Sequence, residues 1–250
     1  MNQPTTAKVV KVLRAICVIA VCMTAWGFAQ HDLNHSRIKE VRILWQDQHG
    51  LHMLKDGDVH ALLDQLQGKQ RTEIYQKELA LRKSPYLSEA ELCYDSDDGL
   101  MVFLNHREPV FRVLPERTSG YYLAADGVGL PLKSDFSAHV PILLGNIPIR
   151  PPLYGQSHNK GLILAMKVKE FINKDSILEP MTTQYIVAGI DSNALILRTI
   201  SGQEIWVGTS MDLSRKLRNL SSFYRLAPAD SSPESFLSIN LVFKNQIVCR

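Results

Sequence analysis

This 250-residue sequence has few of the signatures that announce enzyme chemistry. It has no Walker-type phosphate loop, no Gly-x-Ser-x-Gly elbow, no Ser-x-x-Lys pair and no dinucleotide fingerprint. Gly127-Val128-Gly129 lacks the later glycine and helix of a phosphate cradle and reads as a turn. Cysteine is scarce. Of four, Cys17 and Cys22 fall in an apolar segment, and Cys93 and Cys249 lie far apart, so no disulfide framework exists. Two unpaired buried thiols are the reading, with a single Cys93–Cys249 bridge as the alternative. The eight histidines do not assemble by spacing. His31 and His35, or His49 and His52, have no accompanying cysteine or carboxylate cluster of zinc-site spacing. Asp95, Asp97 and Asp98 lack the remaining ligands of a calcium loop. The expectation is a protein with no catalytic residue, metal or cofactor.

A positive excess is missing as well. The net charge is +3, and Lys8, Lys11 and Arg14 precede any acid. Without those three, 25 basic residues face 25 acidic ones. A neutral body argues against nucleic acid as a partner, because phosphate recognition needs clustered excess positive charge.

What is present starts with an uncharged run over residues 15–29. Extended to residues 12–29, it would rise about 27 Å as a helix, close to the ~30 Å hydrocarbon core. Basic residues on the N-terminal flank alone keep that end cytoplasmic and export the rest. A cleaved signal peptide ending at Gly27-Phe28-Ala29 is the competing reading, and it exports the same body.

The exported part opens with Val41, Ile43 and Trp45 alternating as a strand. Asp56-Gly57-Asp58 caps a helix carrying Val59, Leu62, Leu63 and Leu66, which Gly68 stops. Thr72 caps a second helix with Ile74, Tyr75, Leu79 and Leu81, closed by Pro85. Ala90, Leu92 and Tyr94, then Leu100, Val102 and Leu104, alternate as two strands joined by an Asp/Gly turn. Strand, helix, helix, strand, strand makes an α+β unit with both helices on one face of a small mixed sheet.

A β-rich module with two helices follows Arg107-Glu108-Pro109. Strands are expected at 140–144, 184–188, 194–199 and 204–208. One helix carries Leu162, Ala165, Met166 and Ile172, and the other carries Leu213, Leu217, Leu220 and Tyr224. The last strand, 236–243, would set Leu237, Ile239, Leu241 and Phe243 on one face. Phe236, Ser238, Asn240 and Val242 would lie on the other. At a sheet edge, its backbone could accept a strand from another protein.

Pro85-Tyr86-Leu87, Ala90, Leu92 and Leu100-x-Val102-x-Leu104-x-x-Arg107-x-Pro109-Val110 together are similar to the FtsQ/DivIB family of bacterial cell-division proteins. Tyr121-Tyr122-Leu123, Gly127 and Leu130-Pro131-Leu132 resemble its hairpin, and Val140-Pro141-Ile142 with Gly145 resembles its Val-Pro run. Ala124 departs from the acidic residue common there, with Asp126 placed later. Asn240 stands where an aspartate is common and Val242 where an arginine is common.

The resemblance implies a cytoplasmic tail (1–11), a transmembrane signal-anchor (12–29), a POTRA-like domain (37–114) and a β domain (115–250). It implies a single-pass inner-membrane protein with a periplasmic body at the division septum. Such a scaffold is no enzyme. It would link early and late division proteins and regulate septal peptidoglycan synthesis. The implied partners are FtsB/DivIC-like and FtsL-like bitopic proteins, with FtsK-, FtsW- and FtsI-like proteins beyond them. Phe236, Ser238, Asn240, Val242 and Tyr224 are the expected partner-binding residues. Pro85, Ala90, Leu92, Arg107 and Pro109 are the signature of the POTRA-like unit, with Arg107 read as pairing locally and Pro109 as breaking the ladder between domains. Two other readings remain: a POTRA-bearing scaffold for protein export or envelope assembly, and a secreted hydrolase with an unrecognised site.

Overall fold

The computed structural model describes residues 14–27, 40–46, 53–63, 74–95, 99–116, 119–150, 159–189, 193–226, 232–244 and 246–250. Residues 14–27 form a helix, α1, exposed along its length. Fourteen residues rise about 21 Å, and among the described residues no helix is long and apolar enough to cross a membrane. The outer residues of the expected 12–29 span lie outside the described residues.

The chain separates into two compact units, Met1–Gly50 with Leu54–His106, and Leu51–Met53 with Arg107–Arg250. The first contains β1 (Glu40–Trp45), α2 (Asp56–Leu63), α3 (Ile74–Arg82), β2 (Leu87–Tyr94) and β3 (Gly99–His106). That is the expected order. β3 lies in the middle, parallel to β1 and antiparallel to β2. The helical connection gives the chain room to return parallel to β1. Alternation on β3 buries Leu100, Val102 and Leu104 against Val59, Leu63, Ile74, Leu81, Leu87 and Ala90. Local bonds fix the helices. Lys55 N–H donates to Asp58 Oδ2 (3.2 Å), and Trp45 Nε1 donates to Asp56 Oδ1 (2.6 Å). Arg82 Nε donates to the Ala90 carbonyl (3.0 Å), tying the end of α3 to β2. The expected roles of Leu66, Gly68, Thr72, Asp97 and Asp98 fall outside the described residues.

The continuous run of the second unit starts at Arg107, earlier than the 114/115 boundary expected from sequence. The reason is β4 (Pro109–Val113), which pairs antiparallel with β5 (Tyr121–Ala124) and parallel with β7 (Ile142–Gly145). Pro109 therefore opens a strand of the large sheet. A first strand position tolerates proline's missing donor, and the ladder has a bulge between Pro109 and Phe111.

The remaining elements are β6 (Gly129–Leu130), α4 (Lys160–Ile172), α5 (Leu178–Met181), β8 (Thr182–Ala188), β9 (Ala194–Thr199) and β10 (Glu204–Gly208), then α6 (Leu213–Leu226), β11 (Ser238–Asn240) and β12 (Val248–Cys249). Nine strands form one sheet in the order β12-β11-β10-β9-β8-β7-β4-β5-β6. Leu162, Ala165, Val168 and Ile172 of α4, with Leu217 and Leu220 of α6, share a core with Tyr185, Leu195, Leu197, Ile205 and Val207. Gly145 has φ +98°, and a Cβ there would sit 2.1 Å from the Val187 carbonyl oxygen, so the β7–β8 pairing needs glycine.

Candidate docking edge

The last strand differs from its expected form. Residues 236–243 do not run as one edge strand: only Ser238–Asn240 is regular, and β11 is flanked by β10 on one side and β12 on the other. Local chemistry ends it. Asn240 Oδ1 accepts the Val242 N–H (2.9 Å), which turns the chain, and Phe236 closes a 3-10 turn over Pro233–Ser235. Ile239 and Leu241 are buried as expected, but Leu237 is 82% exposed and Phe243 50% exposed. Both lie beyond the regular part of the strand, where alternation no longer governs.

The edge strand is β12. Ser238 and Arg250 exchange both backbone bonds, N–H to carbonyl, at 3.1 and 3.0 Å. By antiparallel alternation, Cys249 opposite Ile239 is then a non-bonded pair whose N–H and carbonyl face away from β11. Among the described residues no strand pairs with β12 on that side.

A buried amide holds this corner. Gln203, 3% exposed, donates from Nε2 to the carbonyls of Pro233 (2.6 Å) and Phe236 (2.7 Å). Its Oε1 accepts the hydroxyl of Tyr224 from α6. Burial pushes the Tyr224 phenol well above its ordinary range, helped by Glu234 and Cys249, so it stays a neutral donor. Burial likewise raises the Cys249 thiol. Beside the edge lies a cavity of about 530 Å³ lined by Trp206, Lys216, Leu241, Val242, Phe243 and Ile247. Lys216 Nζ donates to the Val207 carbonyl (3.0 Å), and burial lowers its pKa.

Phe236, Ser238, Asn240 and Val242 thus come together on one short stretch beside β12. Tyr224 joins them through Gln203, its hydroxyl turned inward. Sequence reasoning missed Gln203 because a polar side chain after the Ser201-Gly202 turn gives no sign of burial. It missed β12 because Val248-Cys249 is too short to show alternation.

The other expected signature residues sit on other elements of the chain. Ala90 is buried and Leu92 partly buried on β2, after the turn containing Pro85. Arg107 Nε donates to Asp126 Oδ2 at 2.6 Å. Both cysteines outside α1 are unbridged, and Cys93 is exposed where burial was expected. Among the described residues no group of three or more His, Cys, Asp or Glu could hold a metal ion. His31, His35, His49 and His52 lie outside them.

A sequence model for a family described as "FtsQ/DivIB, C-terminal related" matches residues 108–250, which covers every strand from β4 to β12. No match to a curated protein was found.

Proposed function

The chain belongs to the FtsQ/DivIB, C-terminal related, family, and on that basis we propose that it is a non-enzymatic scaffold of the division septum that holds its partners by strand addition at β12. Residues 12–29 serve as its signal-anchor, with the N-terminus in the cytoplasm and the body outside the membrane. The basic flank of Lys8, Lys11 and Arg14 and the uncharged run behind it support that topology. The partners are FtsB/DivIC-like and FtsL-like bitopic proteins, with FtsK-, FtsW- and FtsI-like proteins reached in the same assembly. Through them the scaffold regulates septal peptidoglycan synthesis.

The observation that carries the reading is the open side of β12, where the backbone of Cys249 faces outward beside the exposed Val248. An incoming strand would take up those groups, and alternate side chains would be read by Val242, Phe243 and Trp206 around the adjoining cavity. Phe236, Ser238 and Asn240 fix the line of the edge, and Tyr224 supports it from beneath.

Proline at Cys249 removes the outward donor and leaves the Ser238–Arg250 bonds intact. Capture of the FtsB/DivIC-like partner from host membranes should fall about 10-fold, the effect of about 1.4 kcal/mol. Cys249→Ala, which keeps the donor, should bind normally. Equal capture by both variants would sink strand addition at β12. Normal septation after depletion of the chain would sink the division role itself.

A further inference from the structure

The neutral body hides an uneven distribution of charge. α4 and α6 together carry seven basic residues and one acid, Glu170, and α6 has no acid at all. The two helices pack side by side on the same core. Between them runs a groove of about 580 Å³ with an apolar floor of Phe171, Leu213 and Leu217. Its rims are cationic, with Lys167 and Lys174 on one side and Arg215 and Arg218 on the other. It adjoins a second cavity of about 320 Å³ lined by Lys160, Ile163 and Lys167.

The acids present are already engaged. Glu170 pairs with Lys174 at 2.9 Å, and Asp212 pairs with Arg215. Lys160, Lys167 and Arg218 have no ion pair among the described residues, and all three are exposed. Spacing adds a constraint. Lys160, Lys167 and Lys174 recur every seven residues on the outward stripe of α4 and its C-terminal turn, with the exposed Ile163 between the first two. Seven residues rise about 10.5 Å, the interval at which a helix repeats one face.

We propose that this groove docks an amphipathic acidic helix of a partner protein, with apolar side chains on the Phe171–Leu213–Leu217 floor and carboxylates at seven-residue spacing opposite Lys160 and Lys167, and with Arg218 on the facing rim. An anionic lipid surface is the weaker fit. Glu170 and Asp212 stand on the rims and would repel a continuous sheet of phosphates, whereas discrete carboxylates can fall between them. This surface lies on the helical layer, and its docking does not depend on strand addition at β12.

The test uses the full chain in neutral detergent and a fluorescent synthetic helix with leucines on one face and glutamates at seven-residue spacing. The glutamate peptide should bind about 10-fold tighter than its glutamine counterpart, and added salt should weaken it, as expected for exposed charge pairs. The double variant Lys167→Glu with Arg218→Glu should abolish binding, while Lys244→Glu and Cys249→Pro should leave it intact. Thermal unfolding of the double variant at the wild-type midpoint would confirm that the fold survives. Equal binding of the glutamine peptide would overturn the proposal, as would equal loss in Lys244→Glu. So would stronger, Lys167- and Arg218-dependent binding to phosphatidylglycerol vesicles.

Discussion

At one end of the nine-stranded sheet, β6 buries both of its residues, Gly129 and Leu130; at the other, β12 leaves Val248 42% exposed. The buried end is closed by short-range chemistry. Gly127 takes φ +82° in the β5–β6 turn, and Asp126 accepts the Val128 N–H while pairing with Arg107. The returning chain adds Phe136 edge-on to Tyr122, and the Tyr122 hydroxyl accepts the Ala138 N–H. The open end, also two residues long, is held by the Ser238–Arg250 backbone bonds, while Gln203 and Tyr224 brace the 233–236 turn that leads into β11. An exposed edge is a hazard that proteins usually cover or blunt. A sheet that buries its β6 end and exposes its β12 end is the arrangement that the strand addition proposed above requires.

The largest expected effect comes from breaking the sealed side. Gly120 sits between β4 and β5 at φ +78°, and a Cβ there would lie 2.1 Å from the Val113 carbonyl oxygen. Gly120→Ala must shift backbone against backbone, and we expect a loss of roughly 3 kcal/mol or more, read as a lower midpoint in thermal unfolding. A loss below about 1 kcal/mol would show that the hairpin relaxes freely and that this side is no more rigid than the other.

Several elements of this unit are legible in the sequence, but the contrast between its two edges is not. The strands at 194–199 and 204–208 were readable because Leu195, Leu197, Ile205 and Val207 alternate toward one core, and glycine turns punctuate them. The helices of α4 and α6 were readable from their apolar spacing. The failures share a cause, which is that tertiary context decided them. Nothing local distinguishes Pro109 leaving one sheet from Pro109 starting another. Nothing in Gln203 or Ser221 signals that each is buried, since hydrogen bonds from distant elements compensate them. An expected edge strand and the family resemblance both point to the C-terminal residues as the docking surface. The observed strand, Ser238–Asn240, is shorter than the 236–243 run that alternation predicts, because the turn set by Asn240 depends on a side-chain bond.

Gln203→Ala tests whether the open edge depends on its clamp. The variant strands the Pro233 and Phe236 carbonyls and the Tyr224 hydroxyl, at a cost of about 2–3 kcal/mol. Hydrogen exchange should quicken at 238–241 and 248–250 and stay unchanged in β4, β5 and β6. Uniform acceleration across the sheet would mean that Gln203 supports the whole core. No acceleration would mean that pairing between β10 and β11 suffices.

The smallest effect expected is one of pH, and it reaches the open edge through α6. Asp175 Oδ1 accepts the N–H groups of Ile177 (3.0 Å) and Leu178 (3.1 Å), Oδ2 accepts the Ser221 hydroxyl, and Arg225 lies 3.7 Å away. Burial pushes its carboxyl upward, but the Ser221 hydroxyl, the two backbone donors and Arg225 together hold it below the usual range. A carboxylate depressed in the folded state stabilises the protein above its unfolded pKa, about 3.9, and that contribution is lost as pH falls through the lower folded value. Urea unfolding below about pH 4 should therefore show a declining stability that Asp175→Asn flattens, because asparagine carries no titrating charge. Since α6 also carries Tyr224, acid should loosen β11 and β12 before β5 and β6. Equal slopes for wild type and Asp175→Asn would assign the acid sensitivity to other carboxylates, and simultaneous loosening of both edges would erase the distinction between them.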